Sequence, residues 1–154
     1  MPVLSGGSDL AAPDGICGGV LAAAPGYPQP MTDSDSGFIG LIGASTPDAD
    51  DGKAELVVEA DDRHLNPAGA VHGGLLATLV DTTMGAAVKS AVDDEAPATS
   101  QLTVTYLRPG KPGRLEVSAR VGKRGDSLTI CEADVVQDGK TLVHALATFA
   151  LVGE

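Results

Sequence analysis

His64-Leu-Asn66-Pro-Ala-Gly-Ala-Val-His72-Gly73-Gly74-Leu-Leu-Ala-Thr-Leu-Val-Asp81-Thr-Thr-Met-Gly85 joins a Pro/Gly turn to a pair of glycines and then to the only long helical pattern in the chain. From Leu75 one broad stripe at helical period runs through Leu76, Leu79, Val80, Thr83, Met84, Ala87, Val88 and Ala91. Asp81 lies off that stripe, on the face it shares with Thr78 and Gly85. Gly73 and Gly74 stand at the helix start, where backbone N–H groups have no intrahelical partner and the helix dipole is positive. Donors aimed at one spot, with a carboxylate two turns further on, could make an active site.

Working outward, residues 1–35 are rich in Gly, Ala, Pro, Ser and Asp without a sustained period, and Pro25, Pro28 and Pro30 close the segment. This composition predicts a mobile N-terminal arm, with a short helix around Ile16 to Ala24, ahead of a domain over 36–154. Phe38-Ile-Gly-Leu-Ile42 reads as a first strand, Pro47 to Gly52 as a turn, and Ala54 to Ala60 as a second strand, the pair forming a hairpin. The helix is expected over Gly73 to Val92, stopped by Asp93-Asp94-Glu95-Ala-Pro97. Then the period becomes two. Leu102, Val104 and Tyr106 alternate with Gln101, Thr103 and Thr105, followed by a turn over Arg108 to Gly113. Leu115 to Val121, Leu128 to Val136 and Thr141 to Val152 complete a four-strand meander, with Asp138-Gly139 as a two-residue hairpin signal. The expected class is α+β, one long helix on a mostly antiparallel sheet of five to six strands.

Bulk properties narrow the partners. The 154 residues suit a single domain beside the arm, and with 3% aromatics and no Trp the core must be mostly aliphatic. A net charge of −11 argues against nucleic acid or an anionic membrane as partner. Yet Arg108, Lys111, Arg114, Arg120, Lys123 and Arg124 are six of the ten Lys and Arg. They read either as a solvated hairpin face or as a site for a small polyanion such as a nucleotide phosphate. Cys17 and Cys131 fit no metal, redox or disulfide spacing. Without a basic start the N-terminus is a poor signal peptide, and no apolar run approaches a membrane span, so a cytoplasmic protein is expected.

Several chemistries lack their residues. There is no G-x-S-x-G elbow. Gly139-Lys140-Thr141 resembles the end of a P-loop, but Asp134 holds the required upstream glycine position. His64, His72 and His144 show no zinc spacing. Hydrolysis here would have to run on a carboxylate and backbone donors.

The pattern N-x5-H-G-G-x6-D-x3-G, held by Asn66, His72, Gly73, Gly74, Asp81 and Gly85, resembles hotdog-fold acyl-CoA thioesterases. The nearest branch is typified by the phenylacetate-pathway (PaaI-like) enzymes and one group of 4-hydroxybenzoyl-CoA thioesterases. Thr103-Val-Thr-Tyr-Leu-Arg108-Pro109 looks like that family's strand after the helix, and the likeness spans roughly Gly37 to Val152. It implies a hotdog fold with the sheet wrapped around the helix. It further implies dimers joined sheet edge to sheet edge, commonly paired into tetramers, and an active site shared between protomers. Asn66 and Gly73 would come from one protomer and Asp81 from the other. In these roles the Gly73 N–H would stabilise the oxyanion and Asn66 would hold the carbonyl or the attacking water. Asp81 would serve as general base, or as nucleophile through a mixed anhydride. Thr99 or Ser100 would orient the water, while His72 would shape the turn. Arg108, Lys111, Lys123, Arg124 and Ser127, with Gly74 at the helix start, are the candidate contacts to coenzyme A. No metal or redox cofactor is expected. Two rivals remain: an acyl-CoA-binding module without turnover, and a hotdog dehydratase, whose catalytic His motif is not found here.

Overall fold

The computed structural model describes residues 37–92 and 96–152. Short helix α1 (Gly37–Leu41) leads into β1 (Asp48–Asp50) and β2 (Lys53–Ala60), then a 3-10 turn (Asp62–His64) and helix α2 (Gly73–Ser90). Strands β3 (Ala96–Tyr106), β4 (Gly113–Arg124), β5 (Leu128–Gln137) and β6 (Lys140–Val152) follow. The six strands form one antiparallel sheet in the order β1-β2-β4-β5-β6-β3, with α2 packed on one face. This is the helix-on-sheet class the pattern predicts.

The apolar stripe of α2 accounts for the packing. Leu75, Leu76, Leu79, Val80, Thr83, Met84, Ala87 and Val88 are all buried. They meet alternate residues of the sheet, among them Leu56, Val58, Leu115, Val117, Val135 and Val143. Ala54, Ala119, Ala133, Ala145 and Ala147 share that inner face. Small side chains there let the helix lie close to the sheet, so an aliphatic core fills without aromatic bulk. Phe149 is the largest fully buried side chain.

Three expectations are corrected. Phe38 to Ile42 is not a strand: Gly37–Leu41 is helical, with Ile39 and Ile42 against the core and Phe38 and Leu41 exposed. An apolar run of five residues fits either state by period alone. The hairpin partner of β2 is instead Asp48–Asp50, inside the segment read as a turn, and Asp51 (φ 43°) with Gly52 (φ 76°) makes the reversal. Second, α2 ends at Ser90, and Pro97 belongs to β3, where an edge position tolerates its missing N–H. The proposed stop at residues 93–95 lies outside the described residues, as do the arm over 1–35 and its short helix. Third, the last four strands are not a simple meander. β4, β5 and β6 are, but β3 pairs with β6 at the far edge, and Arg108 to Gly113 crosses the end of the sheet. Hydrogen bonds from Leu107 and Arg108 N–H to Leu142 O, from Val71 N–H to Gly110 O, and between Lys111 and the Gln137 amide hold that crossing. Asp138-Gly139 turns as expected, with φ of 50° and 71°. Among the described residues no helix is long and apolar enough to cross a membrane.

Cys131 tests the packing. It is fully buried on β5 and its Sγ donates to Arg120 O at 3.1 Å. Burial pushes its thiol up to about 12. The folded state therefore favours the protonated form; this stabilisation is complete below the ordinary thiol range and is lost as pH rises towards 12. In a Cys17→Ser background, Cys131 should stay unreactive to Ellman's reagent at pH 8 and react fully once urea unfolds the protein. Prompt native labelling would contradict the packing.

Candidate active site

The loop before α2 is tied by an isolated bridge between Leu65 and Val71. Asn66 organises it: its N–H donates to Ala70 O and its O accepts from Gly69 N–H. The side-chain Oδ1 accepts from Ala68 N–H at 2.9 Å and Ala70 N–H at 3.1 Å. Two backbone donors can be met only by the amide oxygen, so the Nδ2 group remains as a donor for something else.

The start of α2 likewise has partners for all but one of its backbone donors. His72 is the N-cap, with β-region φ −63° and ψ 131°, and its Nδ1 accepts from Gly74 N–H at 2.9 Å. His72 N–H donates to His64 O, and Leu75 N–H donates back to His72 O. Among the described residues, Gly73 N–H alone of the first-turn donors has no protein acceptor. Gly73 lines a cavity of about 350 Å³ together with Asn66, Leu76, Tyr106, Arg108 and Gly110. Tyr106 donates its hydroxyl to Gly73 O at 2.9 Å. A second, more apolar cavity of about 420 Å³ opens on the other side of the first turn, between Phe38, Ile42, His72, Leu75 and Thr78.

Asp81 is half-buried and accepts from Thr99 Oγ1 at 2.9 Å. A register shift in the β3–β6 ladder between Thr99 and Gln101 makes this possible. The bulge sends Thr99 to the helix while Ser100 Oγ donates to Thr148 O on β6. Eight residues of helix separate Gly73 from Asp81, an axial distance of about 12 Å. The Asp81 carboxylate and the Gly73 N–H of one chain therefore stand well apart along the helix.

The basic cluster divides. Arg108 lines the cavity beside Asn66 and Gly73 and donates Nη1 to Thr141 O, and Lys111 lies in the same crossing. Arg114 and Arg120 pair with Glu116 and Glu132. Arg124 donates to Ala91 O just past the end of α2, where a cation also suits the helix dipole. Lys123 on β4 and Ser127 in the β4–β5 connection flank it, at the end of α2 about 27 Å along the helix from Gly73. Thus Asn66, Gly73, Gly74, His72 and Arg108 gather at one end. Asp81 and Thr99 form a separate pair, and Lys123, Arg124 and Ser127 stand at the far end. Tyr106 is the residue the sequence reading missed. Its alternation with Leu102 and Val104 put it on the helix-facing side, but not on Gly73.

The other histidines have structural work. His64 is buried; its Nδ1 accepts from Asp61 N–H at 2.9 Å, and Nε2 donates to Ile42 O at 3.0 Å. Arg63 hydrogen bonds hold the neighbouring Asp61 carboxyl down to about 2. His144 pairs with Asp134 across β5 and β6 on the exposed face. Among the described residues no three His, Cys, Asp or Glu side chains gather. His64→Ala should lower stability by about 1–3 kcal/mol, because it removes a buried ring and leaves two part-buried backbone groups without their partner. A urea midpoint shift measures it, and an unchanged midpoint would deny His64 that role.

The sequence profile of the thioesterase superfamily matches residues 68–144. A protein of Halobacterium salinarum named as an esterase is 37% identical over 113 residues, covering 70% of this chain and 74% of its own length. Human acyl-coenzyme A thioesterase 13 is 34% identical over 86 residues, 54% of this chain and 61% of that enzyme, so the match spans about three fifths of its length. Among solved structures, the PaaI protein of the E. coli phenylacetic acid degradation operon superposes with a TM-score of 0.69 at 27% identity. It covers 75% of this chain and 83% of that one. A Streptococcus mutans protein bound to acetyl CoA gives a TM-score of 0.65 at 27% identity, covering 70% and 86%.

Proposed function

This chain belongs to the thioesterase superfamily, and from that premise we propose that it is an acyl-CoA thioesterase of the PaaI-like hotdog branch, cleaving an aryl- or medium-chain acyl-CoA to free acid and coenzyme A. One observation carries the reading: the Gly73 N–H is the unfilled donor of the α2 N-terminus, and it stands beside the spare amide of Asn66. Together they can polarise a thioester carbonyl and hold the oxyanion. Water adds to the carbonyl carbon as Asp81 takes its proton. The tetrahedral intermediate then collapses, the C–S bond breaks, and coenzyme A leaves and is protonated. Thr99 fixes one carboxylate oxygen of Asp81 and leaves the other for the water. The route through an Asp81 mixed anhydride has the same products. No step calls for a metal or redox cofactor.

The axial gap of about 12 Å supports a composite site, Asn66 and Gly73 meeting the Asp81 of a second protomer. β3 suits the joint. It is an 11-residue edge strand with no buried residue, so one side of its backbone is free to pair with a copy of itself. Pairing of such dimers into tetramers belongs to the same reading. Arg108 and Lys111 at one end of the helix, and Lys123, Arg124 and Ser127 at the other, are the candidates for the coenzyme A phosphates. The apolar cavity at Phe38, Ile42 and Leu75 offers room for the acyl group beside the same helix end.

The test is free-thiol release from a panel of aryl- and alkyl-CoA esters. Asp81→Asn should lose at least about 100-fold in kcat with the fold intact; turnover that survives would move catalysis elsewhere. Acyl-CoA bound without thiol release by the wild type would hand the case to the binding module. Mixing Asp81→Asn with Asn66→Ala protomers, each inactive alone, separates the arrangements. A shared site should recover about a quarter of wild-type activity, since half of randomly paired dimers are mixed and each holds one intact site of two. No recovery on subunit exchange would place the whole site in one chain.

A further inference from the structure

The usefulness of the Gly73 N–H depends on its direction, and two successive glycines at a helix start have little stiffness of their own. A side chain at either position would crowd a neighbouring ring. A Cβ on Gly73 would lie 3.3 Å from the Tyr106 ring, and one on Gly74 would lie 3.0 Å from His72 Nδ1. The peptide that joins them is held from outside at both of its polar ends. Its carbonyl, Gly73 O, accepts from Tyr106 Oη at 2.9 Å, and its N–H, on Gly74, donates to His72 Nδ1 at 2.9 Å. The preceding peptide is held through its carbonyl, because His72 O accepts from Leu75 and Leu76 N–H. Only the N–H of that preceding peptide, on Gly73, is left over.

We infer that Tyr106 and His72 are positioning residues that clamp the Gly73–Gly74 peptide and so fix the free Gly73 N–H as a rigid oxyanion donor. The inference rests on the thioesterase reading for its catalytic consequence, but the clamp itself does not. Neither side chain need touch the reacting atoms. Tyr106 comes from the end of β3 and His72 from the cap of α2, so the donor is aimed by the packing of strand against helix. Fixing a donor before the reaction spares its reorientation as charge develops, which is where such groups gain their effect. His72 in this role is an acceptor through Nδ1 and carries no proton to substrate.

The test compares Tyr106→Phe, His72→Ala and His72→Asn with wild type, using full-length protein. Tyr106→Phe removes one hydroxyl and should lower kcat about 5- to 10-fold, with KM changed less than about 2-fold, the signature of an interaction realised in the transition state. His72→Ala should lose at least as much, and His72→Asn should recover most of it, because Asn also serves as an N-cap acceptor. The pH–rate profile of His72→Asn should keep the limbs of the wild type. An increase in KM alone for Tyr106→Phe would make the tyrosine a substrate contact and overturn the proposal. So would His72→Asn as inactive as His72→Ala, with one pH limb missing, since His72 would then move a proton. Amide hydrogen exchange by NMR reads the clamp without substrate. Gly74 should be protected in wild type and His72→Asn, exposed in His72→Ala, and less protected in Tyr106→Phe. If wild type cleaves no acyl-CoA, the thioesterase reading fails while the exchange pattern still decides the clamp; a Gly74 amide indifferent to all three changes would refute it.

Discussion

The molecule turns on one unfilled hydrogen bond. A helix start offers several donors, and in α2 the N-cap, second and third positions all have protein partners. The first, Gly73, does not. A donor left over at the positive end of an 18-residue helix could hold developing negative charge at little cost, because the helix is already stabilised by its buried stripe. The clamp on the next peptide makes that leftover donor directional. Much of the surrounding structure can be understood as holding this arrangement still.

The core does so from below. Eight of the 18 residues of α2 are buried, and the sheet opposite them is lined by valine, leucine and alanine. Burying aliphatic side chains this fully stabilises by about 1.5–3 kcal/mol each for Leu or Val. Because β-branched and short side chains have few rotamers, the helix has little freedom to shift against the sheet. β3 completes the support. One strand reaches α2 at both chemically important places: its bulged end presents Thr99 to Asp81, and its other end presents Tyr106 to Gly73. Sliding β3 along the helix would break both contacts at once.

The centre of this arrangement was legible in the sequence because it rests on local chemistry. Helical period, the glycine pair, Asp81 on its own face and the Asp138-Gly139 reversal each depend on neighbours within a few residues. What could not be read depends on partners far along the chain. Leu102, Val104 and Tyr106 announce a strand, but nothing in them says that it joins β6 rather than β4. The bulge at Ser100 is set by Thr148 and Asp81, 48 and 19 residues away. The basic cluster looked continuous because six cations fall in one short stretch. A 12-residue strand then carries its members apart, and Glu116 and Glu132 neutralise two of them. Phe38 to Ile42 failed for the opposite reason: the run is local but too short for its period to separate helix from strand.

The same two contacts constrain how a shared site could be built. Within a protomer, Asp81 goes with Thr99 and Gly73 goes with Tyr106. For the carboxylate of one protomer to serve the donor of another, Thr99 of one β3 must come near Tyr106 of its partner's β3. Antiparallel pairing about a two-fold axis does this when the axis passes close to Leu102 and Thr103, halfway between the two residues. Tyr106 keeps its face towards the helix through its pairing with Val143 of β6, so the register of the outer edge would decide only which residues of two such strands meet. In a dimer built this way, the strand that would join the protomers would also be the one that holds Gly73 through Tyr106 and Asp81 through Thr99.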